Sequence, residues 1–204
     1  MEKTFAAWKS HLPAEKFGIH LFPEFETRAQ EVSSEVFRVK TLVEMGGVIS
    51  NLIKTEHVGK AVAVDCPLQQ AGGISDILIS HGVEVYSKAA DVRFHAETAD
   101  IGISGAEFGI AETGSIFMDS FSAESRLVSG LPPMHIVFIN SGNIVSGIDD
   151  AMEIIAASFD RGYISFITGP SRTADIERVL AIGVHGPGRL VIIAVDEEVD
   201  GGGA

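Results

Sequence analysis

The chain has 204 residues, 46% of them hydrophobic and 21% charged, which suits one domain with a substantial core and excludes a disordered tail protein. Its formal charge of −13 argues against a nucleic-acid backbone or an anionic membrane surface as partner. The longest apolar runs, such as Val191 to Val195, are strand-length and far short of a bilayer span, and Glu2 and Lys3 stand where a signal peptide would be apolar, so the cytoplasm is the expected compartment.

Residues 1–26 read as a lead-in: a short helix, then an irregular stretch bearing Pro13 and Pro23. Thr27 and Gln30 form a capping-box pattern, and Ala29, Val32, Val36, Val39 and Val43 follow at helical spacing until Gly46-Gly47, which predicts one helix stopped by glycine. Ser50 to His57 is expected as a helix and Ala61 to Val64 as a short two-sided strand. Ser75 to His81 is expected as a helix closed by Gly82, and Val83 to Tyr86 as a strand. Ala99 to Ser104 and Gly114 to Met118 read as strands around a glycine-bearing bend, then Ser122 to Ser129 as a helix and His135 to Asn140 as a strand. A helix over Asp150 to Phe159, a strand over Tyr163 to Thr168 and a helix over Asp175 to Ile182 precede the last strand, Arg189 to Val195. Short apolar strands alternating with helices imply an α/β domain over residues 27–195, with a mostly parallel sheet and helices on both faces. Residues 196–204, acidic and then glycine-rich, read as a frayed tail.

In such a fold ligands settle where strands run into the following loops. The segments Ala106 to Ser115, Ser129 to His135 and Thr168 to Asp175 therefore rank first. Thr168-Gly169-Pro170-Ser171-Arg172-Thr173-Ala174-Asp175 is expected to open a helix, whose amides and Arg172 suit an anion. The plainer reading is a capped loop in which Arg172 pairs with Asp175 or Glu177. Glu112, beside Thr113, Gly114 and Ser115, is placed either as a nucleophile or base, or as a carboxylate that holds its own loop together. Arg126, Ser129 and His135 flank the rigid Pro132-Pro133, and His185 sits in the turn Gly183 to Gly188; both histidines read first as structural groups, with a proton carrier as the second reading. No lysine follows Lys88, while six arginines do. The single cysteine, Cys66, permits no internal disulfide and falls far short of an iron–sulfur ligand set, and the seven histidines are scattered. No metal or cofactor is expected in this chain, and Cys66 reads as a buried or half-buried thiol.

Taken together, Ala111-Glu112-Thr113-Gly114-Ser115, the run Arg126…Ser129-Gly130-Leu131-Pro132…His135-Ile136, the run Thr168 to Glu177 and Gly183-Val184-His185-Gly186-Pro187 resemble the LutC/YkgG family of lactate-utilisation proteins. Ser115 stands where that family commonly has threonine. The resemblance covers Ala99 to Val195, and over the first hundred residues it is architectural. It implies a LUD domain with a NagB/RpiA/CoA-transferase-like fold and a place in a system that oxidises L-lactate to pyruvate. Iron–sulfur clusters are then expected in the partner proteins, and this chain would bind a small anionic metabolite. The alternatives are a stand-alone isomerase or acyl/CoA-transfer enzyme using Glu112, or a metabolite-sensing module.

Overall fold

The structure, a computed structural model, describes residues 12–158, 162–174, 180–182 and 185–199. After two single 3₁₀ turns the elements run α1 (Phe22–Glu31), β1 (Glu35–Val39), α2 (Leu42–Glu56), β2 (Lys60–Ala63), α3 (Pro67–Ala71), α4 (Ile74–Ser80), β3 (Glu84–Tyr86), α5 (Ala89–His95), β4 (Ile101–Gly105), β5 (Phe108–Ile110) and β6 (Ser115–Asp119). They continue with α6 (Ala123–Gly130), β7 (Met134–Asn140), β8 (Ile144–Val145), α7 (Ile148–Ser158), β9 (Ile164–Ile167), β10 (Arg172–Ala174), β11 (Leu180–Ile182) and β12 (Arg189–Val195). None of the helices among the described residues is long and apolar enough to cross a membrane.

A six-stranded sheet in the order β1-β12-β7-β4-β2-β3 forms the centre, and every neighbouring pair is parallel. Side chains alternate across it, which is why its strands are apolar on both faces. Ile101, Ile103, Ile136, Phe138, Val191 and Ile193 meet α2, α3 and α4 on one face. On the other, Val62 packs with Val92 and Val128 of α5 and α6, while Val137, Ile139, Ile192 and Ala194 meet Phe22, Phe25 and Ala29 of α1. The expected α/β architecture with helices on both faces is present, with one addition. A four-stranded sheet, β8-β5-β6-β9, covers the remainder of the second face and stacks Phe108 on Phe117 at 4.6 Å.

Local signals misled at four places. The helix expected from Ala29 to Val43 is instead α1, β1 and the start of α2. Ser33, at φ 70°, turns the chain, and the β-branched Val36 and Val39 go into an edge strand where they pack on opposite faces. Thr27 caps nothing, because α1 begins five residues earlier and the Thr27 hydroxyl donates back to the Pro23 carbonyl. Phe22 and Phe25 are fully buried, so the packed core includes residues ahead of Thr27. Gly46-Gly47 lies inside α2 rather than ending it. A Cβ on Gly46 would stand 2.8 Å from the Ile77 methyl of α4, so the small residue serves helix packing. Finally, Leu180–Ile182 is a strand paired antiparallel with Arg172–Ala174, not the end of a helix; residues 175–179 lie outside the described set. At the other end Asp196 pairs with Arg38 at 2.8 Å and Glu197 accepts the Leu42 amide, which ties the first residues of the acidic stretch to the sheet edge.

Candidate functional site

Among the concavities that border the central sheet, two lie at opposite ends of its strands and hold residues of chemical interest. The larger, about 440 Å³, lies at the amino ends of β7 and β12 under the small sheet. His135 of β7 and its register partner Leu190 of β12 form one wall. Ser129, from the last turn of α6, joins them, and β9 with the turn Thr168-Gly169-Pro170-Ser171-Arg172 forms the opposite wall. That turn is held tightly. Gly169 has φ 73°, and a Cβ there would come within 2.2 Å of the Val32 carbonyl oxygen, so glycine alone fits against the end of α1. Arg172 donates to the same Val32 carbonyl at 3.0 Å and to the Ser33 hydroxyl, while the Ser171 amide donates to the Pro187 carbonyl at 2.8 Å.

His135 is fully buried. Burial without a charged partner pushes its pKa down to about 3, because the imidazolium would be stripped of water. Its Nε2 lies 2.9 Å from the Ser104 hydroxyl, which in turn contacts the Met118 sulfur at 3.3 Å. Nδ1 has no hydrogen-bond partner among the described residues.

The sequence-ranked residues divide sharply. Ser129, His135, Gly169, Ser171 and Arg172 share this cavity. Ser115 reaches its rim through the Thr168 hydroxyl at 2.7 Å and is held from behind by Thr113 at 2.8 Å. Gly114, at φ 64°, sits against the backbone of Arg28 and Ala29 and serves packing. Glu112 lies apart: its exposed carboxylate accepts the Ile148 amide at 3.1 Å, the plainer of its two roles, here at the start of α7. Arg126 donates to the Ser120 and Phe121 carbonyls and stacks 4.5 Å from the Tyr163 ring centre, outside the cavity. His185 is exposed, Thr173 lies in β10 with its side chain outside the described set, and so do Asp175 and Glu177, the expected partners of Arg172. The cavity also corrects a placement. Ser129 to His135 leads into β7, so these residues gather at the strand beginnings rather than at the carboxyl rim. Arg172–Ala174 is a strand, and residues 175–179, where the helix was expected to begin, lie outside the described set.

The carboxyl rim has its own crevice, about 110 Å³, which the sequence reading did not assign. It lies where the strand order reverses: β3 follows β2 outward, and β4 returns to the other side of β2. Asp65 and Cys66 follow β2, Ser104 and Glu107 close β4, and Asp119 ends β6. Glu107 accepts the Asp119 amide at 2.9 Å, yet burial dominates and raises its pKa to about 8. Cys66 is a half-buried thiol raised to about 11 by the same cause. Glu107 was within reach of the sequence, since it stands two residues past the end of a strand of the parallel sheet. Among the described residues, no group of three or more His, Cys, Asp or Glu is placed to hold a metal ion.

Comparison with known proteins agrees with this architecture. The LUD domain family profile matches residues 22–195, and the chain belongs to that family. Within it, the chain is similar to lactate utilization protein C of Halalkalibacterium halodurans, 34% identical with 73% of this chain and 68% of the relative covered. It is likewise similar to that of Geobacillus sp. (30%, 77% and 70%) and of Bacillus pumilus (29%, 94% and 87%). A crystal structure of a DUF162 family protein from Deinococcus radiodurans superposes with a TM-score of 0.59 at 23% identity, covering 90% of this chain and 99% of that one, which shows a shared fold.

Proposed function

We propose that this chain is a non-redox subunit of a cytoplasmic system that oxidises L-lactate to pyruvate, and that it binds a small carboxylate beside Arg172. The curated relatives carry the name lactate utilization protein C, which supports the pathway. The observation that carries the ligand class is the lining of the larger cavity. In a chain of charge −13, Arg172 is the charged residue of its wall among the described residues, and none of those lining it is a carboxylate. Two of the guanidinium's donor contacts hold Val32 and Ser33, and among the described residues its remaining N–H groups have no further hydrogen-bond partner. With one cysteine here, the electrons would pass through iron–sulfur clusters of partner subunits, which this chain would support rather than replace.

The test is ligand-induced thermal stabilisation by L-lactate, pyruvate and acetate. Binding should raise the melting temperature, and Arg172→Gln should lose on the order of 2 kcal/mol of ligand affinity. No shift with any of these carboxylates would remove the anion site. Separately, lactate-dependent dye reduction by the iron–sulfur partners should fall when this chain is omitted, and full activity without it would remove the subunit role.

One observation favours the stand-alone acid–base enzyme as second reading. Its proton-carrying carboxyl would be Glu107 in the strand-reversal crevice, rather than the exposed, amide-bonded Glu112. Turnover of a sugar phosphate or CoA thioester that is lost in Glu107→Gln and retained in Glu112→Gln would establish it.

A further inference from the structure

Strand β9 is an edge of the four-stranded sheet, and its outer side carries no strand pairing among the described residues. The register with β6 shows which backbone groups are left over. The Ser120 amide donates to the Tyr163 carbonyl at 3.1 Å, and hydrogen-bonded positions recur at every second residue of an antiparallel ladder, so Ser165 and Ile167 also bond to β6. Ile164, Phe166 and Thr168 therefore turn their amides and carbonyls outward. Of these, Phe166 and Thr168 line the larger cavity, together with Ser165 and Ile167. Successive residues of a strand face opposite ways, so an unbroken run of them in one wall means that the wall is the strand's backbone edge. The other edge of the same sheet is closed. Residues 16–18 run beside β8, where the Gly18 amide donates to the Ile144 carbonyl at 2.8 Å and the Ser146 amide to the Lys16 carbonyl at 2.9 Å. Strand β9 has no such cover among the described residues, and Tyr163-Ile164-Ser165-Phe166-Ile167-Thr168 contains none of the charges or prolines that guard a free edge.

We infer that this cavity receives the carboxyl-terminal end of another polypeptide, added as a further strand beside β9 with its terminal carboxylate at Arg172. The inference rests on the reading that Arg172 holds a carboxylate, and it names the molecule that carries that group. A second folded sheet edge cannot enter, because Ser129, His135 and Leu190 stand across the slot; a single extended segment can. Gly169 and Arg172 both abut the Val32 carbonyl, so the guanidinium sits at the carboxyl end of β9. A strand that ends there runs parallel to β9, and Phe166 then donates to one guest residue and accepts from another, as parallel ladders do. The turn from Gly169 to Arg172 bounds that end of the slot, which suits a chain that stops there. Guest side chains alternate between Phe166 on one face and Ile167 with Leu190 on the other, so apolar residues fit both. Strand β9 is four residues long, which sets the length of the paired segment. Main-chain pairing supplies affinity in such a mode, while the carboxylate and the alternate side chains select the partner.

The probe is a pool of short peptides, fluorescein-labelled at the amino end, whose last four positions carry mixed Val, Ile, Leu, Phe and Thr. It is titrated with the whole chain and read by fluorescence anisotropy. With free carboxyl termini the pool should bind saturably, and the same pool amidated at the carboxyl end should bind roughly 10- to 100-fold more weakly, the range for a lost charged hydrogen bond. Phe166→Pro removes an outward amide and no hydrogen bond to β6, so it should weaken binding roughly tenfold, whereas Phe166→Val keeps the amide and should bind close to the parent. Peptides N-methylated along the last four positions remove the same main-chain pairing from the guest side, leave the protein unaltered, and should fail to bind. Equal binding of the free and amidated pools, or of the plain and N-methylated ones, overturns the strand addition. If acetate or pyruvate stabilises the chain and no peptide binds, the strand addition falls while the Arg172 carboxylate site stands. If neither class binds, both fall together.

Discussion

Replacing Glu107 by glutamine should change how stability depends on pH, and the structure fixes both the sign and the window. The Glu107 pKa rises from 4.5 to about 8 because its carboxylate would lose water in the crevice between β2, β4 and β6. A carboxyl whose folded pKa is raised contributes fully below its unfolded pKa, and that contribution is lost as pH rises towards the folded value. At ~1.36 kcal/mol per pKa unit, the whole loss by pH 8 is at most about 4 kcal/mol, and water in the crevice lowers it to about 2–4. His135 works in the opposite sense. Its pKa falls from 6.5 to about 3, so its contribution is complete above 6.5 and is lost on acidification. The clean window therefore lies above about pH 6.5, where Glu107 alone of the pair still changes, by about 1–1.5 kcal/mol up to pH 8. The assay is urea unfolding of the parent and Glu107→Gln at both ends of that window. Glutamine keeps an acceptor for the Asp119 amide, so the variant should gain about 1–1.5 kcal/mol relative to the parent across it. A difference independent of pH would refute the buried protonated acid, and a difference of opposite sign would show that the crevice stabilises the carboxylate.

Glu112→Ala removes the acceptor for the Ile148 amide at the start of α7 and should cost about 1 kcal/mol, read as a lower urea midpoint, with carboxylate binding unchanged. Gly169→Ala adds a methyl 2.2 Å from the Val32 carbonyl at a positive φ, so it should destabilise by roughly 1–3 kcal/mol and weaken carboxylate binding together, checked by unfolding and titration of one sample.

What the sequence reveals of this protein follows the range of the forces involved. The two-sided apolar strands announced the parallel sheet, because a strand covered on both faces needs no polar alternation. The stretch around Val36 and Val39 misled because a valine every three or four residues suits a helix and an edge strand alike. Only the pairing with β12, about 150 residues away in the chain, decides between them. Gly46 misled because a helix interior and a helix end use glycine for different reasons, and the reason here is the Ile77 side chain of another helix. At the cavity, Ser129, His135, Ser171 and Arg172 were legible as residue types in loops beside strands. That His135 Nδ1 lacks a partner among the described residues, and that Glu112 finds one in the Ile148 amide, are facts of three-dimensional proximity without a local signature. Glu107 was passed over for a related reason: a lone glutamate in a loop is usually solvated, and its burial depends on β2 and β6 closing over it.

The order of strands in the central sheet also governs when the sheet can be finished. Strand β12 is inserted between β1 and β7, and β1 has no other partner in the sheet. During synthesis the first strand must wait for residues 189–195 to emerge, and until then β7 presents a bare hydrogen-bonding edge. The ring so closed spans nearly the whole chain, which makes the final pairing a late event of high contact order. A nascent or truncated chain lacking its last strand is left with two open edges in its apolar centre, the kind of surface on which chains cross-pair and precipitate.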